Sequence, residues 1–184
     1  MFNKTKALNC LMTNSTAMAK NEKMRWPPRG IIIHSTGMNC PQLKRYIQPS
    51  KSDVNYPILI AELGKNKLHN DYNHTHRAYN FHFWIGKNKN NKVIVVQTLP
   101  LDIRAWKDNY IHICICEDNL NNFEYLSDCI KVLNEILIEL CNSCDIPINQ
   151  IFSHSEIGNT PDIDYWLKKY QLSIQIIKNN LTNK

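Results

Sequence analysis

Nowhere does the chain approach the roughly 18 consecutive apolar residues that a membrane-spanning helix requires. The N-terminus also lacks the apolar core of a secretory signal, because Asn3, Lys4, Lys6, Asn9 and Asn14 interrupt it. These two absences lead us to expect cytoplasmic synthesis, with action elsewhere depending on release or another export route. There is no internal repeat and no low-complexity linker, and 184 residues suffice for one domain with a real core but not comfortably for two. Seven cysteines, at 10, 40, 114, 116, 129, 141 and 144, form an odd set that argues for reduced thiols. Cys141-Asn-Ser-Cys144 has no second CxxC to complete a zinc knuckle and closes an expected helix, so it reads as packing.

Acidic residues are nearly missing from the first part of the chain. Residues 1–51 hold nine Lys or Arg and one acid, Glu22, for +8; residues 52–184 hold thirteen against fifteen, for −2. A basic lobe favours polyanions, among them nucleic acid, anionic lipid and teichoic-type wall polymers, or else serves only solubility. No aromatic–basic interleaving or known reading motif supports nucleic acid.

Residues 1–29 are polar and irregular and read as a basic extension packed on, or leading into, a domain over 30–184. Ile31-Ile32-Ile33-His34, bounded by Gly30 and Ser35-Thr36-Gly37, reads as a buried strand ending in histidine. A short helix is expected over 41–48, and a long surface loop over 49–80 with Pro57–Leu63 as its apolar island. Phe81–Gly86 and Val93–Thr98 read as a hairpin, and Ile111–Glu117 as a third internal strand. Phe123, Leu126, Ile130, Leu133, Leu137, Leu140 and Cys144 recur at spacings of three and four, the stripe of a long amphipathic helix. Ile151–His154 is another short strand ending in histidine, and a last helix is expected over about 164–180. Strands mixed with helices predict an α/β fold, a central sheet covered on both faces.

Two strands therefore end in histidine, at His34 and His154, where α/β proteins place ligands. Eight residues after His154 comes Asp162, and two histidines with one carboxylate form a catalytic zinc set that leaves a fourth position for water. A lone strand-end histidine is more often structural, so this set alone is weak. His69, His74 and His76 in the long loop read as a solvated loop, a groove wall or a metal cluster.

A wider pattern adds to it. Gly30-Ile-Ile-Ile-His34-Ser-Thr-Gly37 followed by Leu43-Lys-Arg-Tyr-Ile-Gln-Pro49 resembles the opening of endolysin-like type-2 N-acetylmuramoyl-L-alanine amidases. His82-Phe-Trp-Ile-Gly86, Val93-Ile-Val-Val-Gln97-Thr-Leu-Pro100, Arg104-Ala-Trp106, Ile115-Cys-Glu-Asp118, Ser153-His154-Ser-Glu156 and Asp162-Ile-Asp-Tyr-Trp166 follow in that family's order, over about residues 10–170. The resemblance implies a mixed central β-sheet flanked by helices, shared with peptidoglycan recognition proteins and phage lysozyme-amidases. It implies a zinc ion on His34, His154 and Asp162, and cleavage of the bond between N-acetylmuramic acid and L-alanine in peptidoglycan or muropeptides. Thr160 stands two residues before the last ligand, from where its hydroxyl would donate to the developing oxyanion. His82 and Trp106 fall in the substrate-facing region.

The proton donor departs from the pattern. The family offers a Tyr at the position of Phe81, or a Glu at that of Cys114. Glu117 is retained but, three residues on, is expected on the opposite sheet face. Cys114, Glu117 and His82 stand as the residues able to transfer a proton. His112 takes the place of a family glycine, and Lys107 that of a histidine. Two readings stay open, both for a monomer: an active wall hydrolase, endolysin-like or antibacterial, and a muropeptide-binding protein with little catalysis.

Overall fold

A computed structural model describes residues 7–11, 22–47, 51, 56–65, 81–106, 108–158 and 162–182. Six strands make one sheet: β1 (Leu8–Asn9), β2 (Ile31–Ser35), β3 (Phe83–Lys87), β4 (Val93–Gln97), β5 (Ile111–Ile115) and β6 (Ile151–Ser153). Their spatial order is β1-β4-β3-β5-β2-β6. β3, β5, β2 and β6 run parallel; β4 is antiparallel to β3, and β1 is parallel to β4. The mixed sheet predicted from the sequence is present.

Alternation divides the sheet into two faces. Ile31, Ile33, Phe83, Ile85, Val93, Val95, Ile111, Ile113, Ile115 and Ile151 join the larger core. Over them lies α2 (Phe123–Ser143), which buries Leu126, Cys129, Leu133, Ile136, Leu137 and Leu140 along one stripe. Its start is fixed by Asn122, whose side chain accepts the Tyr125 N–H at 3.0 Å. Trp84, Val96, Cys114 and Cys116 face the other way, onto Leu43, Tyr46, Leu59 and Leu63.

Several boundaries differ from the sequence reading. Pro57–Leu63 belongs to a helix, α1 (Tyr56–Leu63), rather than to a loop. Pro57 suits its first turn, Leu59 and Leu63 are buried four residues apart, and Gly64 at φ 83° closes it. Residues 43–45 form only a single 3₁₀ turn. The irregular N-terminal part places Leu8–Asn9 beside β4 and Met24 in the larger core. The expected last helix is two, α4 (Ile163–Lys169) and α5 (Ile174–Thr182), separated where Gln171 takes φ 57°. The strand expected to reach Glu117 ends at Ile115. His154 opens a short helical turn, α3 (His154–Ile157), instead of ending a strand.

Candidate active site

His34 lies on β2, one step before its end. Alternation sends Ile31 and Ile33 into the larger core and turns the His34 ring to the opposite face, where it is 3% exposed. His154 follows β6 directly. The Ser153 N–H donates to the Glu156 carboxylate at 2.7 Å, the reach-back arm of an S-x-x-E capping box, so the turn bearing His154 has a fixed start. A Cβ on Gly158 would sit 3.0 Å from His154 Nε2, so the bare glycine lets the turn close against the ring. Asp162 precedes α4, which is anchored through Ile163, Trp166 and Leu167 in the core.

These three residues converge. Asp162 Oδ2 is 3.3 Å from His34 Nδ1 and 3.4 Å from His154 Nδ1. One ligand atom from each lies within 4.8 Å of the others, and this is the cluster among the described residues able to hold a metal ion. A tetrahedral ion with bonds of about 2.0–2.2 Å keeps its ligand atoms about 3.3–3.6 Å apart, which the two histidine–carboxylate separations match.

The hydrogen bonds around the cluster decide which atoms face it. Ser35 donates to Asp162 Oδ1 twice, from its N–H at 2.5 Å and its hydroxyl at 2.6 Å, and leaves Oδ2 for the histidines. On the other side, His34 Nε2 lies 2.9 Å from His112 Nδ1, and His112 Nε2 lies 2.9 Å from Asp108 Oδ1. The tautomers follow from the acceptor at the end of this chain. His112 contact holds the Asp108 carboxyl below its ordinary range although burial pushes the other way, so Asp108 accepts the His112 Nε2–H. Burial lowers the His112 pKa, so that ring is neutral, and its Nδ1 accepts the His34 Nε2–H. Burial also lowers His34 to about 4. His34 Nδ1 therefore carries a lone pair aimed at a carboxylate. Two acceptors at 3.3 Å repel unless a cation lies between them, and the donor set fits zinc.

Asp162 is held below its ordinary range: burial would raise it, but its contact with His34 and the two hydrogen bonds from Ser35 outweigh that. Glu117 shifts the opposite way, raised by burial. The two carboxylates meet through Ser35, whose Oγ also contacts Glu117 Oε1. A hydroxyl has one proton. If Ser35 gives it to Asp162, the Glu117 contact is satisfied by a proton on Glu117. The opposite pKa shifts make Glu117 the more readily protonated of the two carboxylates. Its expected orientation is corrected for a simple reason: β5 ends at Ile115, strand alternation stops there, and the chain brings Glu117 round to Ser35.

Trp106 flanks the cluster, its ring parallel to His34 at 5.9 Å and 6.2 Å from His154. Phe81 packs 4.9 Å from His34. Cys114 shares the His34 face, as the strand pairing of these two residues requires, but is 1% exposed, and burial pushes its thiol far above its ordinary range. His82 is corrected from a groove-lining residue to a buried support. It is fully buried, its Nδ1 accepts the His112 N–H at 3.0 Å, and its Nε2 meets the Ile103 carbonyl at 2.8 Å. Thr160, Lys107, His69, His74 and His76 lie outside the described residues.

The sequence reading gave no role to Ser35, Asp108 or the donor pair His112–His34. Strand parity did place His112 and Cys114 on one face. Which strand lies beside β5 was not readable. A groove of about 690 Å³ lined by Lys131, Glu135 and Glu139 lies between β4 and α2, across the sheet from the histidines and sharing no residue with them.

A mixed sheet with a two-histidine, one-carboxylate cluster at its strand ends is an α/β fold with a site able to hold a metal ion. Residues 24–164 match the family model for N-acetylmuramoyl-L-alanine amidase, and the chain belongs to that family. No curated protein sequence matches it. Among solved structures, that of PlyL is similar with TM-score 0.64 and 14% identity, covering 96% of this chain and 97% of its own. The PlyG catalytic domain gives 0.64 and 15%, over 97% and 94% of the two chains. Staphylococcus aureus hydrolase AmiA, in complex with its ligand, gives 0.60 and 11%, over 97% and 82%. At such identities these likenesses speak for the fold.

Proposed function

We propose that this chain is a zinc amidase of the cell wall, cutting the amide between N-acetylmuramic acid and L-alanine, with His34, His154 and Asp162 as metal ligands and Glu117 as proton donor. The observation that carries the reading is the convergence of His34 Nδ1, His154 Nδ1 and Asp162 Oδ2, with the tautomer of His34 set from behind by His112 and Asp108. Zinc bound there would polarise the amide carbonyl and make water a nucleophile near neutral pH. The protein's own residues do the rest. Ser35 keeps Asp162 ionised and aimed. Trp106 and Phe81 close one side of the cluster with ring surface, which limits competing water. Glu117 holds a proton for the departing amine and, once ionised, accepts the Ser35 hydroxyl, while the Ser35 N–H stays on Asp162. Thr160 remains our choice for the oxyanion donor.

We take peptidoglycan or muropeptides as the substrate, the monomer as the acting form, and release or export by another route as the path to the wall. No described helix is long and apolar enough to cross a membrane. A second reading, a muropeptide-binding protein with little turnover, is favoured by Phe81 and Cys114, which stand where the family offers proton donors. Incubation with defined muropeptides, read by mass spectrometry, separates the two. New free N-acetylmuramic acid ends together with L-alanine amino termini are expected from the amidase. Muropeptide that is bound but intact would establish the binding protein instead.

A further inference from the structure

The N-terminal ends of β2 and β5 carry a second cluster of charge that the amidase reading does not use. Arg25 and Arg29 precede β2; Arg104, Asp108 and Asn109 precede β5. The two segments are clamped together. Asn109 Oδ1 accepts the Arg25 N–H at 2.7 Å, Asn109 Nδ2 donates to the Arg25 carbonyl at 3.0 Å, and the Arg29 N–H donates to the Asn109 carbonyl at 2.8 Å. Between them lies a cavity of about 230 Å³ lined by Arg25, Arg29, Arg104, Asp108 and Asn109.

The polar groups of this cavity are incompletely matched. Arg104 Nη1 pairs with Glu22 at 2.8 Å, and the Glu22 side chain is 78% exposed. Arg104 Nε is buried with no hydrogen-bond partner. Arg25 and Arg29 make no ion pair among the described residues. The Asp108 carboxylate already accepts from His112 and from the Tyr110 N–H. Three guanidinium groups against Asp108 and Glu22 leave one positive charge, 3 − 2 = +1. A buried donor on a cation, left without an acceptor, costs free energy that an anion or water would recover.

We propose that this cavity binds a phosphate group, either free or carried on an anionic wall polymer. Guanidinium forks fit tetrahedral phosphate oxygens in pairs, and Arg25 and Arg29 line the cavity with no carboxylate partner among the described residues. The net charge complements a phosphodiester. The volume corresponds to several waters at about 30 Å³ each, enough for a phosphate group and too little for a sugar chain. A polymer would therefore insert one phosphate and run along the rim, where the excess of basic residues in 1–51 continues the attraction. The cavity shares no residue with the histidine cluster and is joined to it by hydrogen bonds through Asp108 and His112. The wall-polymer source rests on the wall-acting function proposed above; the phosphate site itself does not.

The test is calorimetric titration of the full-length, zinc-loaded protein. The probes are inorganic phosphate, a defined glycerol-phosphate polymer and a single-stranded oligonucleotide of equal charge. Arg25→Gln and Arg29→Gln are each expected to weaken phosphate binding about tenfold or more, with zinc content, melting temperature and muropeptide turnover unchanged. Both variants keep the histidine cluster, so any phosphate held by the metal cancels in the comparison. Asp108→Asn removes a like charge from the wall and is expected to tighten phosphate while loosening zinc, two effects of opposite sign that generic surface charge does not produce. A polymer bound more tightly than free phosphate assigns the cavity to the wall; phosphate bound without polymer assigns it to the free ion. Phosphate affinity unaltered in both arginine variants would overturn the site, and an oligonucleotide preferred over the polymer would overturn the wall assignment. A protein without muropeptide turnover can still pass every arm, so failure here and failure of the amidase reading are separate results.

Discussion

Each atom that converges in the His34–His154–Asp162 cluster is fixed from behind: Asp162 by Ser35, His34 by His112 and Asp108, His154 by the capped turn that Gly158 lets close. Beside His34 stand Phe81 and Cys114, where the resembling family offers a tyrosine and a glutamate. Both are buried, the ring cannot transfer a proton, and the thiol is held protonated. In the function proposed above, metal retention and proton delivery therefore rest on different residues: the first on His34, His154 and Asp162, the second on Glu117, which reaches Ser35 from beyond the strand end.

The largest effect expected is on the metal side. Asp162→Ala removes the oxygen that both histidines face and the acceptor of the Ser35 N–H, leaving the Ser35 hydroxyl on Glu117. Zinc content by elemental analysis is expected to fall from about one per chain to near zero, with muropeptide turnover lost. The affinity loss should exceed the 10–100-fold typical of removing an outer partner. A variant that retains full zinc would break the ligand assignment and with it the contrast between the two sets of residues.

Next comes the donor. Glu117→Gln keeps size and hydrogen-bonding capacity but has no acidic proton. kcat is expected to fall by about 10²–10⁴ with zinc content unchanged, measured on muropeptide at matched metal loading. Equal kcat in the two proteins would return proton delivery to Cys114 or to a group outside the described residues.

The outer partners of His34 come third. Asp108→Ala frees His112 to take the other tautomer, so that its Nδ1–H opposes the His34 Nε2–H. Competition with a chelator should show zinc affinity lower by about 10–100-fold, with the melting temperature of the zinc-free protein changed little by comparison. The Asp108 side chain is 38% exposed and lies outside both apolar cores, with His112 as its one buried side-chain partner, which is why a structural loss alone would not give that pattern. Unchanged zinc affinity would mean that the tautomer is set without Asp108.

Much of this was readable from the sequence, and the part that was not has a physical cause. The α2 stripe announces itself by spacing, and the strands by β-branched runs between turn residues. His34 and His154 were visible as histidines closing such runs. Glu117 was misplaced because parity holds only while a strand continues, and nothing local marks Ile115 as its end. The His34–His112–Asp108 chain depends on β2 lying beside β5, a pairing between segments 78 residues apart that no local pattern encodes. His82 looked like a groove residue because a strand histidine carries no sign of whether both nitrogens will find partners. Pro57–Leu63 had its helical signals, a first-turn proline and a closing glycine, but they were outweighed by the polar composition around it.

The smallest effect expected is at Cys114, and it sharpens the contrast most. Cys114→Ala removes one sulfur from a packed site on the His34 face, among Trp84, Val96 and Cys116. The loss combines transfer free energy with a small cavity, so about 1 kcal/mol of stability is expected, read as a shift in urea midpoint with unchanged slope. Turnover should stay within about twofold of the parent, because a thiol kept protonated by burial gives up no proton at neutral pH. The same position offers a harsher comparison in Cys114→Glu, which would bury a carboxylate near Asp162 and is expected to destabilise the protein by several kcal/mol unless it stays protonated. If Cys114→Ala is folded, zinc-loaded and slowed by tenfold or more, the thiol is the proton donor, and the residue that looks inert is the working one.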